Sequence, residues 1–269
     1  MLKKRIVVGV DGSTGAAAAV RWAAAEARLR KAELRVLSAY HRLTVGGQVR
    51  PNANAETSAV IHAAVTQARS IAPDVEVRGV AMHGYAVPVL LHAAEEATLL
   101  VVGVRGKVAF PGLQFDSVGG QVATHARGSV VVVRGRSGAD AGPVVVGVDD
   151  DVAGATIDRA FEEAALRGAP LMAVTAFRKP VGSGASTAEA VLGSDLDSQL
   201  DPWREKYPDV PVQREVIAGD PDKVLVGCSR QARLVVVGPR RHGYEGVMLG
   251  SVGTRLLQRA DCPVLIARS

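Results

Sequence analysis

The sequence predicts two tandem α/β domains, each a doubly wound, five-stranded parallel sheet with helices on both faces. Three observations carry this. The chain repeats itself: RIVVGVDGSTGAAAAVRWAAAEARLRKAELRVLSAY (residues 5–40) realigns with PVVVGVDDDVAGATIDRAFEEAALRGAPLMAVTAF (143–177), placing Asp11 on Asp149. LLVVGVRGKV…DSVGGQVATHARGSVVVVR (99–134) likewise realigns with LVVVGPRRHG…GSVGTRLLQRADCPVLIAR (234–268). The offset is 138 at the first match and 134 at the last, so insertions are loop-sized and the repeat unit is a domain, not a solenoid module. Finally, each copy alternates short β-branched runs with helical stretches, the pattern of right-handed βαβ units in an open sheet.

In the first copy, strands are expected near 5–10, 34–40, 75–82, 98–103 and 129–134. Most are continuous apolar runs (IVVGV, LLVVG, VVVV), as a parallel sheet covered on both faces requires. Helices fit near 14–31, 54–71, 85–96 and 117–126. The second copy reads likewise, with strands near 143–148, 171–177, 211–217, 233–238 and 263–267 and helices between them. RGRSGADAG (134–142), rich in Gly, Ala and charge, connects the copies. The expected domains are 1–136 and 143–269, with 137–142 as linker.

Composition narrows the function classes. Of 269 residues, 48% are hydrophobic but only 4% aromatic, which fits a soluble, closely packed protein rather than a disordered one. The N-terminus MLKKRIVVGVDGS has only five apolar residues before Asp11, too short for a signal-peptide core, and no run approaches a membrane span. A cytoplasmic location is expected. Cys228 and Cys262 form no CxxC pair, and the six histidines are scattered, so no metal site is expected. Residues 1–140 hold 17 Lys/Arg against 10 Asp/Glu and the remainder 15 against 17, but no aromatic-interleaved basic patch points to nucleic acid.

In doubly wound sheets, ligands bind beyond the carboxyl ends of the strands, where strand order reverses. After the first strand stand VGVDGS in one copy and VGVDDD in the other; after the fourth, VVGVRG or VVGPRR, then a loop and a helix opened by DS or GS. Gly103 and Gly106 let backbone N–H groups approach phosphate oxygens. Ser117 or Ser251 can cap the next helix, whose N-terminus favours an anion. Asp11 can accept hydrogen bonds from ribose hydroxyls. Each residue also has a plainer role, Asp11, Ser13, Ser117 and Ser251 as caps and the glycines as turns. Together, in both copies, they favour a nucleotide site. It is neither a P-loop nor a Rossmann dinucleotide site, since GxxxxGK[ST] and GxGxxG are both missing. A receiver-domain reading of Asp149, Asp150 and Asp151, with Asp220, wants a Lys after the fifth strand, where Ala267 and Arg268 stand.

The motifs V-x-G-V-D-G-S (7–13), L-V-V-G-x-R-G (100–106), D-S-V (116–118) and P-V-L-I-A-R (263–268) resemble the universal stress protein family in its tandem form, over essentially the whole chain. The resemblance implies an adenine nucleotide alpha hydrolase-like fold with strand order 3-2-1-4-5, and last strands that mediate pairing of two domains. It also implies ATP as ligand, and a stress-responsive regulatory role with at most slow hydrolysis. Adenine would lie near the end of the second strand, at Ala39, Tyr40 and His41, ribose at Asp11, and phosphates on Gly103, Gly106 and Ser117; Gly12, Ser13, Arg105, Asp116 and Val118 complete the expected nucleotide-binding set. Asp149, Gly238, Gly250 and Ser251 are the second-copy counterparts.

Both copies depart from the family motif G-x2-G-x9-G-[S/T]. Asp116 replaces the third glycine in the first. In the second, Arg241 replaces the second glycine, the loop is one residue shorter, and Asp150 and Asp151 replace Gly-Ser. A carboxylate about 4 Å from a phosphate charge costs roughly 4 kcal/mol at an effective dielectric near 20, roughly a thousandfold in affinity. Asp116 therefore either closes the phosphate pocket or recruits Mg²⁺ into it. The alternative function is an interaction module with degenerate, non-nucleotide-binding sites that contacts protein partners through its sheet edge or its basic first half; the expected assemblies are the intramolecular pseudo-dimer and a homodimer. An enzyme is disfavoured: the SGGxDS loop and HIGH signature of related hydrolases and synthetases are missing.

Overall fold

The computed structural model describes residues 4–41, 44–45, 48–49, 53–104, 117–136, 141–149, 154–178, 185–238 and 249–268. Two compact units divide the chain, Met1–Arg134 and Gly135–Ser269.

The first unit runs β1 (Arg5–Gly9), α1 (Thr14–Arg30), β2 (Glu33–Tyr40), a small hairpin of β3 (Thr44–Val45) and β4 (Gln48–Val49), α2 (Ala53–Ile71), β5 (Val77–His83), α3 (Ala86–Glu96), β6 (Leu99–Gly103), α4 (Val118–His125) and β7 (Val130–Val133). Its main sheet has the order β5-β2-β1-β6-β7, every neighbour parallel. The second unit runs β8 (Val144–Gly147), α5 (Gly154–Arg167), β9 (Leu171–Phe177), α6 (Ala185–Lys206), β10 (Val212–Ala218), α7 (Pro221–Cys228), β11 (Leu234–Val237), α8 (Ser251–Arg259) and β12 (Val264–Ile266). Its order, β10-β9-β8-β11-β12, is also parallel throughout. Both sheets thus have the expected order 3-2-1-4-5, which reverses between the first and fourth strands.

With right-handed crossovers, this order puts α1 and α2 on one face of the first sheet and α3 and α4 on the other. Accordingly α1 packs on α2 and α3 on α4; in the second unit α5 pairs with α6 and α7 with α8. The inner strands are buried on both sides: Leu99, Leu100, Val101 and Val102 of β6 and every residue of β11 are buried. Alanine does the matching work on the helices. Ala19, Ala23, Ala24 and Ala27 of α1 are fully buried, and the small side chain keeps helix propensity high while letting the helix lie close to the sheet. A core of Val, Leu, Ile and Ala explains how so few aromatics suffice.

An ion pair recurs inside the first helix of each unit. Arg30 Nε meets Glu26 Oε1 at 2.6 Å, both side chains 2% exposed. In α5, Glu163 pairs with Arg167 and with Arg159, the latter at 2.9 Å. Helix α1 then stops at Lys31, whose left-handed φ of 51° turns its N–H back to the carbonyls of Ala27 and Arg28.

Two details differ from expectation. The strand expected at 75–82 begins at Val77, because Val75 N–H donates to the Ala72 carbonyl and closes a turn first. The β3–β4 hairpin was not anticipated, although Gly46-Gly47 between two short pairs is a hairpin signal.

Candidate functional site

Beyond β1 the chain stays tied to the sheet, with Val10 N–H donating to the Leu37 carbonyl at 2.9 Å. Asp11 follows, exposed, its Oδ1 accepting from Ser13 N–H at 2.9 Å. Between them Gly12 takes φ 81°, a left-handed conformation, and a Cβ there would touch Val60 Cγ2 at 3.1 Å. Ser13 Oγ accepts from Ala16 N–H at 3.2 Å and caps α1. The tight turn thus presents an exposed carboxylate at the mouth of α1.

The end of β6 lies against that mouth. A Cβ on Gly103 would run into the Gly15 carbonyl in the first turn of α1, while a Cβ on Gly119, in the first turn of α4, would stand 3.0 Å from the Gly103 oxygen. Two helix N-termini therefore flank one strand end. Ser117 caps α4, its Oγ accepting from Gly120 N–H at 3.1 Å, and Val118 beside it is exposed. The first N–H groups of a helix lack intrahelical partners, and its dipole is positive at that end. Convergence of two such ends makes a seat for an anion. Arg105, Gly106 and Asp116 lie outside the described residues.

A ring cluster closes β2 and β5. Parallel pairing sets Tyr40 beside His83, their rings 5.5 Å apart and edge to face. His41 stacks on Tyr85 at 4.4 Å and 29°, and lies 5.9 Å from His83. Tyr85 is 67% exposed. His41 Nδ1 is buried with no hydrogen-bond partner. Tyr40 and His41 were expected here. His83 and Tyr85 were not; the signal was the HGY that ends β5, brought to the site only by the register of the two strands.

The second unit repeats the frame with different side chains. Val148 N–H donates to the Val174 carbonyl at 2.9 Å, and Asp149 follows, exposed. Gly238 ends β11 against Thr156 of α5. The expected cap at Ser251 is corrected: Gly250 holds the N-cap position, extended at φ −68° and ψ 177°, and Ser251 is the first helical residue with no capping bond. Relative to the repeat, α8 starts one residue earlier than α4, so the serine falls inside the helix. Asp150, Asp151, Arg240, Arg241 and His242 lie outside the described residues. At the ends of β9 and β10, Asp220 takes Lys223 at 2.8 Å and Arg178 at 3.3 Å. The Lys223 ammonium, hydrogen-bonded and opposite in charge, holds the Asp220 carboxyl below the usual range, with Arg178 adding to the effect.

Among the described residues, no group of three or more His, Cys, Asp or Glu could hold a metal ion, and no helix is long and apolar enough to cross a membrane. Fold and strand-end arrangement together define a duplicated, doubly wound α/β protein whose candidate site sits where strand order reverses. The chain belongs to the universal stress protein family, whose profile matches it twice, at residues 3–134 and 141–268. It is 33% identical to Universal stress protein Rv2623 of Mycobacterium tuberculosis, over 98% of this chain and 96% of that one. It is 30% identical to Universal stress protein Rv1996 of the same organism, over 98% and 94%. Among solved structures, a universal stress protein from Archaeoglobus fulgidus DSM 4304 superposes with a TM-score of 0.75 at 15% identity, covering 100% of this chain and 99% of that one; this likeness speaks for the fold.

Proposed function

We propose that this chain is a stress-responsive regulatory protein that binds an adenine nucleotide, ATP, in its first domain without efficient catalysis. The observation that supports it is the meeting of two helix N-termini at Gly103, beside the Asp11 turn. Phosphates take the partner-seeking N–H groups at the starts of α1 and α4, around Gly12, Ser13, Gly103, Ser117 and Val118. The Asp11 carboxylate takes the ribose hydroxyls, and Tyr40 and His41 take the base. Arg105, Gly106 and Asp116 join this reading through the sequence motif, Asp116 with Mg²⁺ as its counter-ion. Asp149, Gly238, Gly250 and Ser251 mark the equivalent, more altered place in the second domain.

Isothermal titration with Mg-ATP tests the reading. Heat that saturates with ligand is expected, and Asp11→Ala should lower affinity about tenfold or more, the scale of a hydrogen bond to a charged group. No heat at millimolar ligand overturns it and leaves the interaction module as the better account.

A further inference from the structure

We infer that the chain holds one nucleotide, not two, because Tyr85 and His41 form a stacking platform for the base in the first domain, where Asp220 and Arg178 form an ion pair in the second. This rests on the nucleotide reading and goes beyond it in stoichiometry and in the residues that set it.

The two places are equivalent by backbone geometry. Gly84 N–H donates to the Tyr40 carbonyl at 2.9 Å, and Gly219 N–H to the Phe177 carbonyl at 2.8 Å. Gly84 and Gly219 both have left-handed φ, 143° and 155°. The next residue in each copy, Tyr85 or Asp220, precedes the following helix in an extended conformation and makes no side-chain capping bond. The same frame therefore pairs His41 with Arg178, His83 with Ala218, and Tyr85 with Asp220.

The side chains on this frame do opposite things. In the first domain the stacked His41 and largely exposed Tyr85 offer a planar apolar surface, with Tyr40 and His83 supporting it from the strand ends. His41 Nδ1, buried without a partner, is a polar group that ligand binding can satisfy. Stacking suits any nucleobase, because every base has a π-face. In the second domain the rings at 83 and 85 give way to Ala218 and to a carboxylate, and Arg178 and Lys223 are already engaged with that carboxylate. A base placed there meets the ring of Phe177, the counterpart of Tyr40, and a guanidinium that is already ion-paired, but among the described residues no ring stands at the positions of His41, His83 and Tyr85. Upstream, the position of left-handed Gly12 is taken by Asp150, and a second carboxylate follows at Asp151.

The test is isothermal titration of the full chain with Mg-ATP, read for stoichiometry and affinity, on the wild type and on Tyr85→Asp and Tyr85→Phe. The expected wild-type stoichiometry is one per chain. Tyr85→Asp should weaken binding about tenfold to a hundredfold, the worth of one base stack, while Tyr85→Phe, which keeps the ring, should bind as the wild type does. Far-UV circular dichroism checks that each variant is folded; should Tyr85→Asp not fold, Tyr85→Ala serves in its place with the same expectation. Two nucleotides per chain, or wild-type affinity in the ring-less variant, overturns this inference and leaves the nucleotide reading standing. A wild type that binds no ATP overturns both.

Discussion

Gly103 shows how tightly a single position can be bound by its surroundings. A Cβ there would strike the backbone of Gly15, which cannot rotate away as a side chain can. Gly103→Ala should therefore destabilise the first domain by about 1–3 kcal/mol, the usual scale of overpacking, measured by denaturant unfolding. Its role in holding α1 against β6 is structural whether or not a phosphate binds. Asp220 illustrates the opposite, a half-buried residue governed by charge. Because its folded pKa is depressed, the ion pairs contribute stability at neutral pH and lose it as pH falls through that folded pKa. An NMR titration of the Asp220 carboxyl should give a midpoint below the ordinary Asp value, and Lys223→Ala should move it upward.

At the level of elements, most of the secondary structure was legible because apolar runs and helical stretches alternate without interruption. What was not legible depends on geometry that a linear pattern does not carry. Ser251 reads as a cap by analogy with Ser117, yet α8 begins at Ser251 itself, with Gly250 as its N-cap, one residue earlier in the repeat than α4. Tyr85 and His83 read as ordinary residues at a strand end, until the pairing of β2 with β5 sets them beside Tyr40 and His41. The buried Glu26–Arg30 pair was equally hidden, since an i,i+4 pair on a helix reads as solvated surface. Arg30→Leu, which leaves Glu26 buried without that cation, should cost about 3–5 kcal/mol, whereas the double variant Glu26→Leu/Arg30→Leu should recover much of the loss. Thermal unfolding of the three proteins checks this.

For the whole molecule, the duplication predicts a calorimetric signature. A ligand that binds the native state of one domain stabilises that domain by about 2.7 kcal/mol at a hundredfold excess over Kd. Under Mg-ATP, scanning calorimetry should show the first domain's transition moving upward and the second's staying in place; a shift of both by equal amounts would contradict an unequal pair. Gly135 has a left-handed φ of 56° where a Cβ would meet the Asp261 backbone, and Arg136 N–H donates to the Asp261 carbonyl at 2.8 Å. Both residues are thus anchored in the second unit, ahead of the Gly- and Ala-rich stretch.

The paired hydrogen bonds from Gly84 to Tyr40 and from Gly219 to Phe177 have a further consequence. They hold the main chain in the same path while asking nothing of the side chain that follows, since neither Tyr85 nor Asp220 caps its helix. Each copy therefore carries an interchangeable socket, in which chemistry can drift after duplication with little penalty to folding. A tyrosine and an aspartate occupy matching sockets in one polypeptide, so each half serves as the other's built-in control.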